Sequence, residues 1–168
     1  MLNPTMRAAV CAALTCAALS MAAPAVAALG GTPTPPPAGA VSSTISVAPI
    51  AHAASGGAGA VTAAPYTVIE TTDVTGTVVR EYVSAAGAVF GVAWSGTMMP
   101  DLSVLLGAYF PQYKSGLEAQ RAAHPGRGPV YLQLPGLVVV SGGHMGAFGG
   151  QAYLPSALPA GVTAADIR

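Results

Sequence analysis

The chain has 168 residues; 52% are hydrophobic, 7% are charged, and the formal net charge is zero. That length suits one modest domain. The six basic residues, Arg7, Arg80, Lys114, Arg121, Arg127 and Arg168, are scattered, so no electrostatic footprint for nucleic acid or an anionic membrane surface is present.

The hydrophobic excess is mostly alanine, which buries little apolar area. After Gly30 no run of eighteen apolar residues occurs, so no transmembrane segment is expected in the mature chain. The N-terminus reads as a Sec-type signal peptide. Arg7 precedes an apolar stretch, Ala8 to Ala23, and Pro24-Ala25-Val26-Ala27 supplies a small-residue cleavage site. Cleavage after Ala27 would leave Ala28-Leu29-Gly30-Gly31 at the new N-terminus. A lone arginine does not make a twin-arginine signal. Cys11 and Cys16 both lie inside this leader, and Cys16 lacks the context of a lipidated cysteine. The mature chain therefore has no thiol for a disulfide, a catalytic step or a metal site. The expected destination is the periplasm or the medium.

Residues 28–65 are rich in proline, alanine and glycine and include Pro33-Thr34-Pro35-Pro36-Pro37. With no charge and no aromatic residue, this stretch is expected to be a flexible, disordered linker, with His52 a solvated residue in it. The folded domain is then expected to span 66–168.

Structure is expected to begin at Tyr66. The β-branched runs 66–71, 77–84 and 88–94 are separated by the turn signals 73–76 and 85–87, which argues for an antiparallel meander. Period two puts Ala88, Phe90, Val92 and Trp94 on one face, and Gly91 opposite allows close backbone approach. Glu70 and Arg80 on adjacent strands are placed for a cross-strand ion pair. After Pro100-Asp101, Leu102, Leu105, Leu106 and Tyr109 form one helical stripe, with Pro111 expected to end it. A second, weaker helix is expected from about Tyr113 to Ala123. The runs 130–134 and 137–141, joined by Pro135-Gly136, make a hairpin around a type II turn. A short strand is expected after Gln151. The fold class is α+β: an antiparallel meander and hairpin with one or two short helices packed on the sheet.

Three long stretches, GTVVREYVSAAGAVFGVAWSG (76–96), PDLSVLLGAYFPQY (100–113) and PGLVVVSGGHMGAFGGQAYLPSALPAGV (135–162), together with the ALGG start, resemble a family of exported bacterial proteins known as domain of unknown function 2844. The resemblance covers most of the chain from Tyr66 to Arg168. It implies export and a single compact domain, and brings no activity, cofactor or catalytic residue with it.

The glycine-rich run Ser141-Gly142-Gly143-His144-Met145-Gly146 is the candidate contact loop, joined by the loop at 96–100, because glycine freedom and methionine suit varied partners. A hydrolase built on Ser141 and His144 is the rival reading. It needs the serine within reach of the histidine and a carboxylate such as Asp101, Glu118 or Glu70 behind it. There is no G-x-S-x-G elbow, no P-loop lysine and no HxH or HExxH spacing. No catalytic residue, metal ligand or cofactor is therefore assigned. The leading expectation is a non-enzymatic binding or structural role with a partner in the envelope. The second alternative, a small-ligand or lipid carrier, requires an apolar cavity.

Overall fold

The computed structural model describes residues 29–47, 51–52, 61–62, 66–126 and 128–168. The predicted signal peptide and its cleavage site lie outside these residues, as does Arg127. Among the described residues, nine strands run in chain order: β1 (Val41–Val47), β2 (Ala51–His52), β3 (Val61–Thr62), β4 (Tyr66–Thr72), β5 (Val78–Ser84), β6 (Val89–Gly96), β7 (Val130–Leu134), β8 (Leu137–His144) and β9 (Ala147–Tyr153). Between β6 and β7 lie α1 (Leu102–Leu106), a 3-10 turn (Gly107–Tyr109) and α2 (Phe110–Ala123). Seven strands form one antiparallel sheet in the order β1-β4-β5-β6-β9-β8-β7, and β2 and β3 pair with each other. The α+β class holds, with the strands dominant.

Each face of the sheet carries a cover over part of its strands. On one face, which we call the helix face, Val83, Val89, Val92, Trp94, Val139 and Ala152 pack with Leu106 and Tyr113 of the helices. On the other, the tail face, Val68, Tyr82, Phe90 and Ala93 pack with Val162 and Ile167 of the C-terminal segment. Tyr66, Tyr82 and Phe90 stack there with ring centroids 5.7–6.2 Å apart, within the favourable range for tilted and edge-on pairs.

The strict alternation expected along 88–94 is broken. Tyr82 pairs with Gly91 but Val83 pairs with Val89, so Phe90 is the extra residue of a β-bulge. Phe90 therefore lies on the tail face, opposite Val92 and Trp94. Gly91 provides the close approach expected of it: a Cβ there would sit 2.7 Å from Ile167 Cδ1.

The expectation of a linker through residues 28–65 is corrected for 29–47. Leu29 is buried in the core, its N–H donates to the Leu105 carbonyl (3.0 Å), and Gly30 and Gly31 exchange hydrogen bonds with Val89. Thr34 reaches Glu81, and Val41–Val47 pairs in full register with β4. A segment poor in apolar area becomes ordered because its few large side chains and its backbone groups find partners on a core built elsewhere. The domain thus begins well before Tyr66. Residues 48–50, 53–60 and 63–65 lie outside the described residues.

Pro111 does not end the helical region. It sits in the first turn of α2, where a missing N–H costs no hydrogen bond. The interruption falls instead at Gly107–Tyr109. Asp101 caps α1, with its carboxylate accepting from the Ser103 N–H (2.8 Å). The strand expected after Gln151 starts earlier, at Ala147: it is β9, inserted between β6 and β8. The Glu70–Arg80 ion pair forms at 2.8 Å on the tail face. Among the described residues no helix is long and apolar enough to cross a membrane.

Candidate functional site

The glycine-rich run is a hairpin. Residues 137–144 form β8, Met145-Gly146 make a two-residue turn, and β9 returns from Ala147. The pairing is regular: Ser141 faces Gly150, Gly142 faces Gly149, Gly143 faces Phe148 and His144 faces Ala147. Side chains alternate faces along a strand, so Ser141 and His144, three residues apart, project to opposite sides of the sheet. Ser141 is buried on the helix face, whereas His144 is exposed and its Nδ1 lies 3.1 Å from the Met145 carbonyl. The geometry does not bring this serine and histidine together. Asp101, Glu118 and Glu70 are likewise dispersed: Asp101 caps α1, Glu118 lies on α2, and Glu70 is engaged by Arg80.

The glycines of the hairpin have a packing reason. A Cβ on Gly150 would collide with the indole of Trp94, which lies across that position, and Gly143 adopts φ +135° against the Ala147 backbone. Met145 at the tip is 91% exposed. The 96–100 loop emerges from the same end of the sheet, since Gly96 pairs with Phe148. Its Thr97 and Met98 are tied instead toward β5, through Thr97 Oγ1 to the Thr75 carbonyl and Thr77 Oγ1 to the Met98 carbonyl, each 3.1 Å.

A different site stands out in the fold. The helices cover β6 to β7, while the N-terminal segment crosses β5 and β4 on the same face. Between the two covers lies a cleft of about 260 Å³. Its walls are Thr34 and Pro35–Pro37 on one side, Thr71 and Val79 at the floor, and Pro100, Val104 and Leu105 on the other. Three carboxylates line it, Asp73, Glu81 and Asp101, and no lysine, arginine or histidine does. Proline is apt for the outer wall: its fixed φ holds the chain extended with little entropy to lose.

Glu81 is the chemically unusual member. It is 3% exposed, on the helix face opposite Val92, and its carboxylate accepts from the Thr34 N–H (3.0 Å) and Oγ1–H (2.6 Å). Burial pushes its pKa up, and the two Thr34 hydrogen bonds pull partly against that shift. Asp73 and Asp101 sit at the rim and titrate low. Asp73 is held down chiefly by the Thr75 hydroxyl, with backbone N–H groups adding to it; Asp101 is held down by the Ser103 hydroxyl and N–H. Among the described residues no cluster of three or more histidine, cysteine or acidic side chains is arranged to hold a metal ion.

Sequence reasoning did not single out this cleft. Glu81 stands in a strand run with no motif around it, and its partner Thr34 is 47 positions away in a stretch read as linker. The one available signal was an acidic residue between Arg80 and Tyr82 in a segment otherwise patterned for burial.

The described residues thus form a seven-stranded antiparallel sheet, packed on both faces around its centre and carrying an acidic, proline-walled cleft. The chain belongs to the family described as Protein of unknown function (DUF2844), which matches residues 25–167. No curated protein and no solved structure matches the chain.

Proposed function

We propose that this protein is an exported, non-enzymatic binding domain, and that the cleft beneath the Thr34–Pro37 segment receives a small ligand with an apolar body and a cationic head. The observation that carries this reading is the lining itself: mostly proline and aliphatic surface, three carboxylates and no positive side chain. Its size falls just under the roughly 300–1,000 Å³ usual for ligand sites, which suits a short amine rather than a lipid. Export is supported by the leader pattern of residues 1–27. In this reading the 141–146 run is part of the β8–β9 hairpin, whose Gly150 seats Trp94, and the envelope partner is met through other surfaces.

The test is an NMR titration of the isotope-labelled protein with hexylamine and, in parallel, hexanoate. The amine is expected to shift the amides of Thr71, Val79 and Val104, and the acid to leave them in place. Glu81→Gln combined with Asp101→Asn is expected to weaken the amine response by roughly ten-fold, the loss of one charge-assisted contact. Equal responses to both probes, or none to either, would remove the cleft as a cation site.

A further inference from the structure

The two edges of the large sheet are built differently. β7, at one edge, has five residues, is bracketed by Pro129 and Pro135, and packs beside α2. Short length, flanking prolines and a covering helix are the usual ways of blunting a sheet edge. β1, at the other edge, has none of these. It is seven residues long, reads Val-Ser-Ser-Thr-Ile-Ser-Val, carries no charge, proline or bulge, and among the described residues pairs only with β4. Val41 and Ile45 on its tail-face row are 73% and 54% exposed.

This strand is nearly a palindrome. An antiparallel copy turned about a two-fold axis through Thr44 would set Val41 against Val47, Ser42 against Ser46, Ser43 against Ile45 and Thr44 against itself. The hydroxyl row 42-44-46 would then meet its own kind, while on the other row Ser43 would face Ile45. On the helix face, Ser42, Thr44 and Ser46 would meet hydroxyl residues, as Ser42 already meets Thr71 (Oγ to Oγ1, 3.3 Å). On the tail face, Val41 would come opposite Val47 and Ile45 opposite Ser43, so that row carries no charge across the junction. Hydroxyl pairs opposite each other stabilise sheets, and no like charges face each other. A two-fold axis also demands a self-complementary surface, which this sequence supplies.

We infer that two copies of this protein associate through β1, joining their sheets edge to edge across an axis at Thr44. The contact is one strand wide, so the dimer belongs to the weak, concentration-dependent class.

The experiment is sedimentation velocity of the full chain, expressed with its own leader and purified as recovered, over about 1–500 µM, a range spanning weak association. Thr44 is exposed, so Thr44→Lys and Thr44→Glu are surface changes, and unaltered circular dichroism and Tm confirm that both variants fold. The wild type is expected to dimerise with rising concentration. Each variant alone, placing like charges in register, is expected to dissociate roughly ten-fold or more readily. An equimolar mixture of the two is expected to recover the dimer, because position 44 then pairs lysine with glutamate. A wild type that stays monomeric throughout, or a dimer indifferent to position 44 in both the single and mixed samples, would overturn the inference.

Discussion

Glu81 concentrates the chemistry of this molecule in one side chain. Its carboxyl is buried, and burial raises its pKa. The folded state therefore holds this proton more tightly than the unfolded chain does. The stability that Glu81 contributes is fully present below its unfolded value and is lost as pH rises through the raised folded value. Glu81→Gln keeps an acceptor for Thr34 and removes the titration. In thermal melts the variant is expected to be at least as stable as wild type at pH 7, and its advantage to shrink as the pH falls through the raised folded value toward the ordinary 4.5. An unchanged difference across that range would mean that Glu81 does not titrate with folding. Gly150 makes the complementary case in packing. A methyl group there meets the Trp94 indole, so Gly150→Ala is expected to cost about 1–3 kcal/mol in chemical denaturation, the usual cost of overpacking. His144→Ala, at an exposed position with one local contact, is expected to change stability by less than about 0.5 kcal/mol.

At the scale of elements, three devices shape the fold, and the first two position the cleft. Asp101 fixes the start of α1 and so places Pro100, Val104 and Leu105 along one wall. Asp101→Ala removes the cap and is expected to destabilise by roughly 1 kcal/mol, with a further loss of order at Val104 visible in amide exchange. Asp73 organises the β4–β5 turn, accepting from the N–H groups of Thr75 (2.7 Å) and Thr77 (3.0 Å). Asp73 and Asp101 both titrate low, so their contributions are present above the unfolded value and are lost as pH falls through the folded one. That is the opposite sense to Glu81. The third device is the bulge at Phe90, which lets one strand feed aromatic bulk to the tail face while Val89, Val92 and Trp94 serve the other.

At the scale of the whole molecule, the sheet is held between a segment that precedes β1 and one that follows β9. The N-terminal segment inserts Leu29 beneath the helices, and the C-terminal segment lays Ile167 on Gly91 and clasps the Tyr82 hydroxyl, which donates to the Arg168 backbone oxygen at 2.7 Å and accepts from its N–H at 2.9 Å. A chain beginning at Tyr66 would lack β1, Leu29 and the Thr34 partners of Glu81. It is expected to lose cooperative thermal unfolding and to aggregate through the exposed β4 edge, whereas a chain beginning at Ala28 keeps a sharp transition. Comparable melts of the two chains would show that the N-terminal segment is dispensable.

Local pattern was enough for the elements whose signal is short-range. The β4–β5–β6 meander, the Leu102–Leu106 turn of helix, the Pro135-Gly136 hairpin and the Glu70–Arg80 pair were all legible, because alternation, capping and turn chemistry act between residues close in sequence. The same reading placed Phe90 on the wrong face, since a single bulged residue leaves no mark in composition. It took 29–47 for linker, since alanine, proline and glycine look alike whether solvated or packed against a partner distant in the chain. The Ser141–His144 pairing looked plausible in a loop and dissolved once those residues became a strand, where three steps along the chain reverse the face. The cleft was decided by tertiary structure alone: Thr34, Asp73, Glu81 and Asp101 come together only when the N-terminal segment crosses the sheet beside the helix. The sequence by itself determined the strands, the turns and the shortage of charge; long-range packing decided which face each residue serves and where a buried carboxylate meets an open wall.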